Sequence, residues 1–200
     1  MLPAIFWAGL PELGMQLVTL MALSLYVGNA IKDLVCAPRP MALRPRRGAP
    51  RVRLLGRAFE EAELNAREYG LPSSHAMNSV CFNFYVVWYL LDRGLLASST
   101  AGVLYSAVLV WVLWIAVSRL YLGLHTPVDI LAGALAGLTV VNSFAALERS
   151  LTAFSVARPC ATWVALAACT LLLRLHPRPL VYTPSYEYST SFLGVFFGMQ

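Results

Sequence analysis

Charge is what this sequence has least of. Lys, Arg, Asp and Glu make up 12% of its 200 residues, against 58% hydrophobic, where an ordinary soluble domain is about 25% charged. A surface so poor in charge cannot all face water, so lipid must serve as solvent for much of it. The four cysteines, Cys36, Cys81, Cys160 and Cys169, have no CxxC or other metal-like spacing, which gives no zinc module and no reading of redox compartment. HxxxH pairs are missing, and with them a usual metal-ligand pattern; no metal and no cofactor are expected. Internal repeats and low-complexity tracts are also missing. No basic residue precedes Lys32, so the first apolar stretch lacks the charged start of a secretory signal peptide and reads as a membrane helix.

What is present is a series of apolar runs. A helix needs roughly 17 to 25 residues to cross about 30 Å of hydrocarbon. The runs Leu13–Ile31, Ala76–Leu91, Leu95–Val117 and Thr126–Leu147 meet that length or approach it, and Cys160–Leu173 does so if extended. The expected fold is an all-α, polytopic membrane helix bundle forming a single domain over residues 1–200. A last run opens at Phe192 and stops at Gln200, too short to span. It reads as the start of an incomplete helix, with at least one further C-terminal helix expected.

Residues 32–72 interrupt the pattern as a loop. Its first part is rich in Pro and Arg, and its later part, FEEAELNAREYG, suits a short surface helix. Alternating crossings put Lys32–His75, Ser118–His125 and His176–Ser189 on one membrane face. The loops Asp92–Ser99 and Glu148–Pro159 fall on the other. The shared face holds 12 of the 15 Lys and Arg residues, which by the positive-inside rule would make it cytosolic. A basic cluster within a membrane bundle points to lipid phosphate rather than nucleic acid; protein partners are not indicated.

Three short segments at that face carry the chemistry. Lys32 and Arg39 follow the first helix, Pro72-Ser73-Ser74-His75 opens a later one, and Ser118-Arg119 precedes His125 and Asp129. A phosphoryl group in transfer spreads charge over its equatorial oxygens, which preorganised donors stabilise. Arginines offer forked donors and lysine a point charge, while the helix start at Ser74 offers backbone N–H groups. A neutral imidazole can attack phosphorus, and an acid must protonate the alkoxide that leaves. His125 and Asp129, spaced i, i+4, share a face if that stretch is helical, so the carboxylate would fix the imidazole tautomer. His125 is the expected nucleophile, Asp129 its orienting partner and His75 the general acid and base. Lys32, Arg39, Arg119, Ser73 and Ser74 are the expected phosphate ligands.

Lys-x6-Arg-Pro, Pro-Ser-Ser-His and Ser-Arg-x5-His-x3-Asp, in that order, resemble the three signatures of the type 2 phosphatidic acid phosphatase superfamily. That resemblance implies a phosphohistidine on the second histidine and acid–base work by the first. Ser74 replaces the usual glycine. Together with Glu68-Tyr69-Gly70-Leu71-Pro72 and Gly28-Asn29-Ala30-Ile31-Lys32-Asp33, this resembles the branch acting on sphingosine-1-phosphate and long-chain-base phosphates. The tail from His176 to Tyr188 is similar to plant-type members. The resemblance implies a metal-independent phosphoric monoester hydrolase in the endoplasmic reticulum membrane with a lumenal site. This opposes the positive-inside count, which phosphate ligands inflate. Alternatives are a phosphatidate or polyprenyl diphosphate phosphatase and a non-catalytic binder of lipid phosphate.

Blander roles are expected elsewhere. Arg44, Arg46, Arg47, Arg51, Arg53 and Arg57 read as interfacial anchors. Trp88, Tyr89, Trp111 and Trp114 read as lipid-facing or packing aromatics, and His176 as structural. Glu68, beside the second motif, is a candidate partner for a substrate ammonium.

Overall fold

The computed structural model describes residues 2–40 and 68–199; the arginines from Arg44 to Arg57 and most of the expected surface helix lie outside them. Every regular element among the described residues is helical, in agreement with an all-α bundle. The helices are α1 (Leu2–Trp7), α2 (Pro11–Val35), α3 (Ser74–Asp92), α4 (Ala101–Tyr121), α5 (Pro127–Ala157), α6 (Ala161–Leu175) and α7 (Ser185–Gly198), with a short 3-10 turn at Ser98–Thr100. Among the described residues, three helical stretches have the length and apolar composition to cross a membrane: Pro11–Val35, Ser98–Tyr121 and Pro127–Ala157.

Helix α3 is the centre of the bundle and packs against α2, α4 and α5. Leu13, Leu17 and Leu20 of α2 meet Met77, Cys81, Tyr85 and Tyr89 of α3 and Val140, Val141 and Phe144 of α5. A second cluster, Ala22, Tyr26, Cys169 and Leu193, seats α7 on α2 and α6. Helix α4 differs: only Val108 is buried along it, and Val110, Trp114 and Val117 are exposed. In a bilayer those side chains meet acyl chains, so apolar exposure that would be costly in water carries no penalty.

The α3 backbone lies close against two glycines of α5. A Cβ placed on Gly133 would lie 2.5 Å from the Ser73 carbonyl oxygen, and one on Gly137 would lie 2.7 Å from that of Met77. This small-xxx-small spacing is the device by which membrane helices approach. At the far end from the site, Glu148 is almost fully buried but well partnered. It accepts from Gln16 at 2.7 Å and from Arg93 at 3.3 Å, and Tyr85 donates to Gln16 at 2.8 Å. Paired in this way, a buried acid is tolerable.

Two boundaries differ from the sequence expectation. Helix α5 runs on to Ala157 instead of ending near Leu147, because Glu148 finds partners within the bundle and need not reach water. The last helix starts at Ser185, not Phe192. One side of its polar start is buried: Ser185 and Ser189 receive hydrogen bonds from Asn29 of α2 at 3.1 and 3.2 Å, which makes a polar segment helical where apolar periodicity gives no signal.

Candidate active site

The three polar segments meet. Lys32, Arg39, Ser74, His75, Arg119 and His125 all line one cavity of about 480 Å³, so residues 93 positions apart in sequence share a single site. Each is placed by a helix end. Helix α2 stops at Cys36, whose left-handed backbone (φ 51°) lets its N–H return to the Lys32 carbonyl at 2.8 Å. The chain then turns so that Arg39 comes back over the cavity. Helix α3 begins after Ser73, whose hydroxyl accepts from the Ala76 N–H at 3.5 Å, and the Ser73 N–H bonds the Asp129 carbonyl at 2.9 Å. The starts of α3 and α5 are therefore fastened together.

The segment from Ser118 to Asp129 is one helix end followed by one helix start. Leu124 N–H bonds the Arg119 carbonyl at 3.2 Å and Gly123 N–H bonds that of Leu120 at 2.9 Å, with Gly123 at φ 66°. That is the Schellman termination, which needs a residue free to adopt the left-handed region. Then Thr126 caps α5: its hydroxyl accepts from Asp129 N–H at 3.2 Å, and the Asp129 carboxylate accepts from Thr126 N–H at 2.7 Å. Pro127 occupies the first helical position, where its missing N–H costs nothing.

This geometry corrects one expectation. His125 lies outside α5, so it and Asp129 do not share a helical face. The capping box folds Asp129 back instead, leaving its Oδ2 3.7 Å from His125 Nδ1. That is beyond hydrogen-bond reach, and His125 Nδ1 is buried without a hydrogen-bond partner. His125 itself lines the cavity.

The two histidines differ in environment. His125 is 5% exposed, whereas His75 is exposed. Burial, then the positive charges of Arg39 and Lys32, push the His125 pKa down to about 3, so the imidazole is neutral near pH 7. Of the two serines expected to hold phosphate, Ser74 lines the cavity. Ser73 is fully buried behind it and serves as a helix cap; Asp129 also lies behind the cavity wall.

Sequence reading missed much of the wall. Along α2, Lys32 is followed downward by Asn29, Leu25 and Met21, a descent of about 16 Å at 1.5 Å per residue. Along α4, Arg119 is followed by Ile115 and Trp111, and Phe192 of α7 completes the apolar part. The cavity thus grades from cations through amides to hydrocarbon. Trp111, expected only to face lipid or pack, also lines it. The signal was available as i, i+3, i+4 spacing from the charged residues. Glu68 is a further wall residue. It accepts from Lys32 at 2.7 Å and contacts Arg39 at 3.4 Å. Burial alone would raise its pKa, but those two cations hold it below the usual carboxylate range.

Beside the cavity, His176 is buried between Tyr26 and Tyr186, edge to face with both. Its Nδ1 lies 3.8 Å from Asp33 and its Nε2 3.4 Å from Ser189. All three side chains are closed off, so they fasten α7 to α2, in keeping with a structural histidine.

Comparison with known proteins agrees with this architecture. The PAP2 superfamily profile matches residues 13–152. The chain belongs to the PAP2 superfamily. It is 39% identical over 203 residues to "Lipid phosphate phosphatase delta" of Arabidopsis thaliana, covering 99% of this chain and 46% of that protein. It is 28% identical to "Dihydrosphingosine 1-phosphate phosphatase C823.11" of Schizosaccharomyces pombe, over all of this chain and 46% of that one. With "Sphingosine-1-phosphate phosphatase 2" of Mus musculus it shares 33% identity over 67% of this chain and 33% of the relative. This PAP2 chain therefore spans about half the length of the curated relatives it matches, or less. No solved structure matches it.

Proposed function

We propose that this PAP2 chain forms the active site of a membrane phosphatase that hydrolyses long-chain base 1-phosphates to free base and inorganic phosphate. The observation that carries the reading is the single cavity in which Lys32, Arg39, Arg119, His75 and His125 sit above an apolar wall. Such a shape fits one phosphate and the first part of one chain.

The phosphate seats among Lys32, Arg39, Arg119 and the N-terminus of α3, where the helix dipole adds to the positive field. His125 Nε2, neutral and unprotonated, attacks phosphorus in line. The P–O bond to the lipid breaks as His75 gives its proton to the departing alkoxide. The phosphorylated imidazole is cationic, and Asp129, already 3.7 Å away, closes on it. Water, deprotonated by His75, then attacks phosphorus and the bond from phosphorus to His125 Nε2 breaks, which frees the imidazole and releases inorganic phosphate. Exposure suits His75 to this double task, since it must exchange protons with solvent between steps.

The protein is assigned to the endoplasmic reticulum membrane with the cavity facing the lumen, on the strength of family resemblance. Three of the cations on that face line the phosphate cavity, which removes them from a positive-inside count. The test is phosphate release by the full-length protein from sphingosine-1-phosphate, phosphatidate and a polyprenyl diphosphate, each with EDTA present. Preferred release from sphingosine-1-phosphate, undiminished by EDTA, is expected. Preference for either other lipid would reassign the substrate. Tight lipid-phosphate binding with no release from any would make the chain a binder.

A further inference from the structure

We infer that Glu68 is a specificity residue that accepts the ammonium group of a zwitterionic substrate. The inference rests on the phosphatase reading above and narrows its substrate class to lipid phosphates with an amine on the carbon next to the phosphorylated one. Among the described residues of the cavity wall, Glu68 is the one acid. A carboxylate beside a phosphate site opposes binding of a phosphate dianion, so its position needs a reason. In the free protein it occupies two phosphate ligands at once, Lys32 at 2.7 Å and Arg39 at 3.4 Å. An incoming phosphate takes over both cations and leaves Glu68 ionised, part-buried and close to a second anion. A substrate carrying its own ammonium supplies the missing counter-charge at that spot. A phosphate ester without an amine supplies nothing.

The contacts fit such an exchange. Both cations reach the same carboxylate oxygen, Oε2, and Oε1 takes neither bond. The Glu68 side chain is 20% exposed, compared with 2% for Lys32 and 8% for Arg39, so it is the member of the trio most open to a ligand. Arg39 Nε also donates to the Glu68 backbone carbonyl at 3.0 Å. That bond survives any change of side chain, so replacing the carboxylate removes its charge while Arg39 keeps an anchor. Asn29, three residues before Lys32 on α2, and Asn78 of α3 also line the cavity, so its wall stays polar beyond the cations. The amine, next in line after the ester oxygen, therefore falls at the level where the wall is still polar.

The test is a substrate series on the full-length protein in mixed micelles. It comprises sphingosine-1-phosphate, its N,N-dimethyl derivative (bulkier but still cationic), its N-acetyl derivative and the analogue with hydrogen in place of the amine. Expected for the wild type is a kcat/KM at least tenfold higher for the two cationic lipids than for the two neutral ones. In Glu68→Gln that ratio should collapse toward one. Equal turnover of charged and neutral lipids by the wild type overturns the inference, even if the variant cannot be purified. A ratio kept intact in Glu68→Gln, with both rates lowered together, also overturns it, because Glu68 would then only position Lys32 and Arg39. Phosphate release from no lipid in the series sinks the phosphatase reading and this inference with it. Release without charge dependence sinks this inference alone.

Discussion

At the scale of single residues, the decisive property is the protonation of His125. Burial and two neighbouring cations hold its pKa at about 3, compared with about 6.5 in an unfolded chain. Between those values the unfolded state binds a proton that the folded state refuses. Stability therefore rises with pH through that window and is lost as pH falls below about 6.5. The loss by pH 4 should be on the order of a few kcal/mol. The free protein in detergent is expected to melt at a lower temperature at pH 4 than at pH 7, and His125→Asn should flatten that dependence. Equal slopes for wild type and variant would assign the titration to another group. Under the proposed mechanism the same neutrality suits His125 to attack phosphorus. A phosphoenzyme formed from labelled substrate should be stable in base and lost in acid, as a phosphoramidate is, and should be missing from His125→Ala. Trapping after rapid quenching checks this.

At the scale of elements, the site depends on how closely α3 and α5 approach. The Ser73 backbone that Gly133 faces carries the start of α3, and with it Ser74 and His75. Gly133→Ala would drive a methyl against backbone atoms 2.5 and 3.2 Å away, which cannot move aside as a flexible side chain would. Overpacking of this kind costs roughly 1–3 kcal/mol, and displacing His75 should lower kcat by about a hundredfold, the scale expected when a catalytic group is misplaced by an ångström. Gly102→Ala in α4 has open space around it and should leave both quantities near wild type. Melting temperature and kcat measured on the pair decide the point.

This contact also marks what could and could not be read from sequence. Apolar runs located most helices, since burial and membrane length leave a periodic or continuous trace. The polar motifs located the cavity, since phosphate chemistry needs cations and imidazoles together. Packing distance leaves a weaker trace: the sequence reading did not pick out Gly133 and Gly137, where an added Cβ would meet the α3 backbone. Helix ends were harder still. The Asp129 carboxylate was expected along a helical face, yet the capping box decides its position, and only backbone geometry tells the two apart. The polar start of α7 was hidden because its hydrogen bonds come from Asn29, 156 positions away.

At the scale of the whole molecule, the open quantity is which side of the membrane holds the cavity, and two cysteines can measure it. Cys36 ends α2 beside Lys32 on the cavity side and is partly exposed, while Cys160 is exposed between α5 and α6. Helix α5 starts at the cavity with Pro127 and runs 31 residues, about 46 Å at 1.5 Å per residue, which exceeds the roughly 30 Å of hydrocarbon. The two thiols therefore emerge on opposite faces. Cys81 and Cys169 are buried and should stay silent. In sealed, right-side-out microsomes, where the outer face is cytosolic, an impermeant thiol reagent should label Cys160 at once. It should reach Cys36 only after the vesicles are opened. The reverse order would put the cavity in the cytosol, as the count of basic residues suggests. Simultaneous labelling of both in sealed vesicles would contradict the crossing of α5 itself. A lumenal result has a chemical consequence, because free base can recross the bilayer as the neutral amine, whereas inorganic phosphate is released on the far side and must be carried back. Phosphate accumulating inside sealed microsomes that turn over added lipid phosphate is the corresponding expectation. It should fall in step with turnover in His125→Ala.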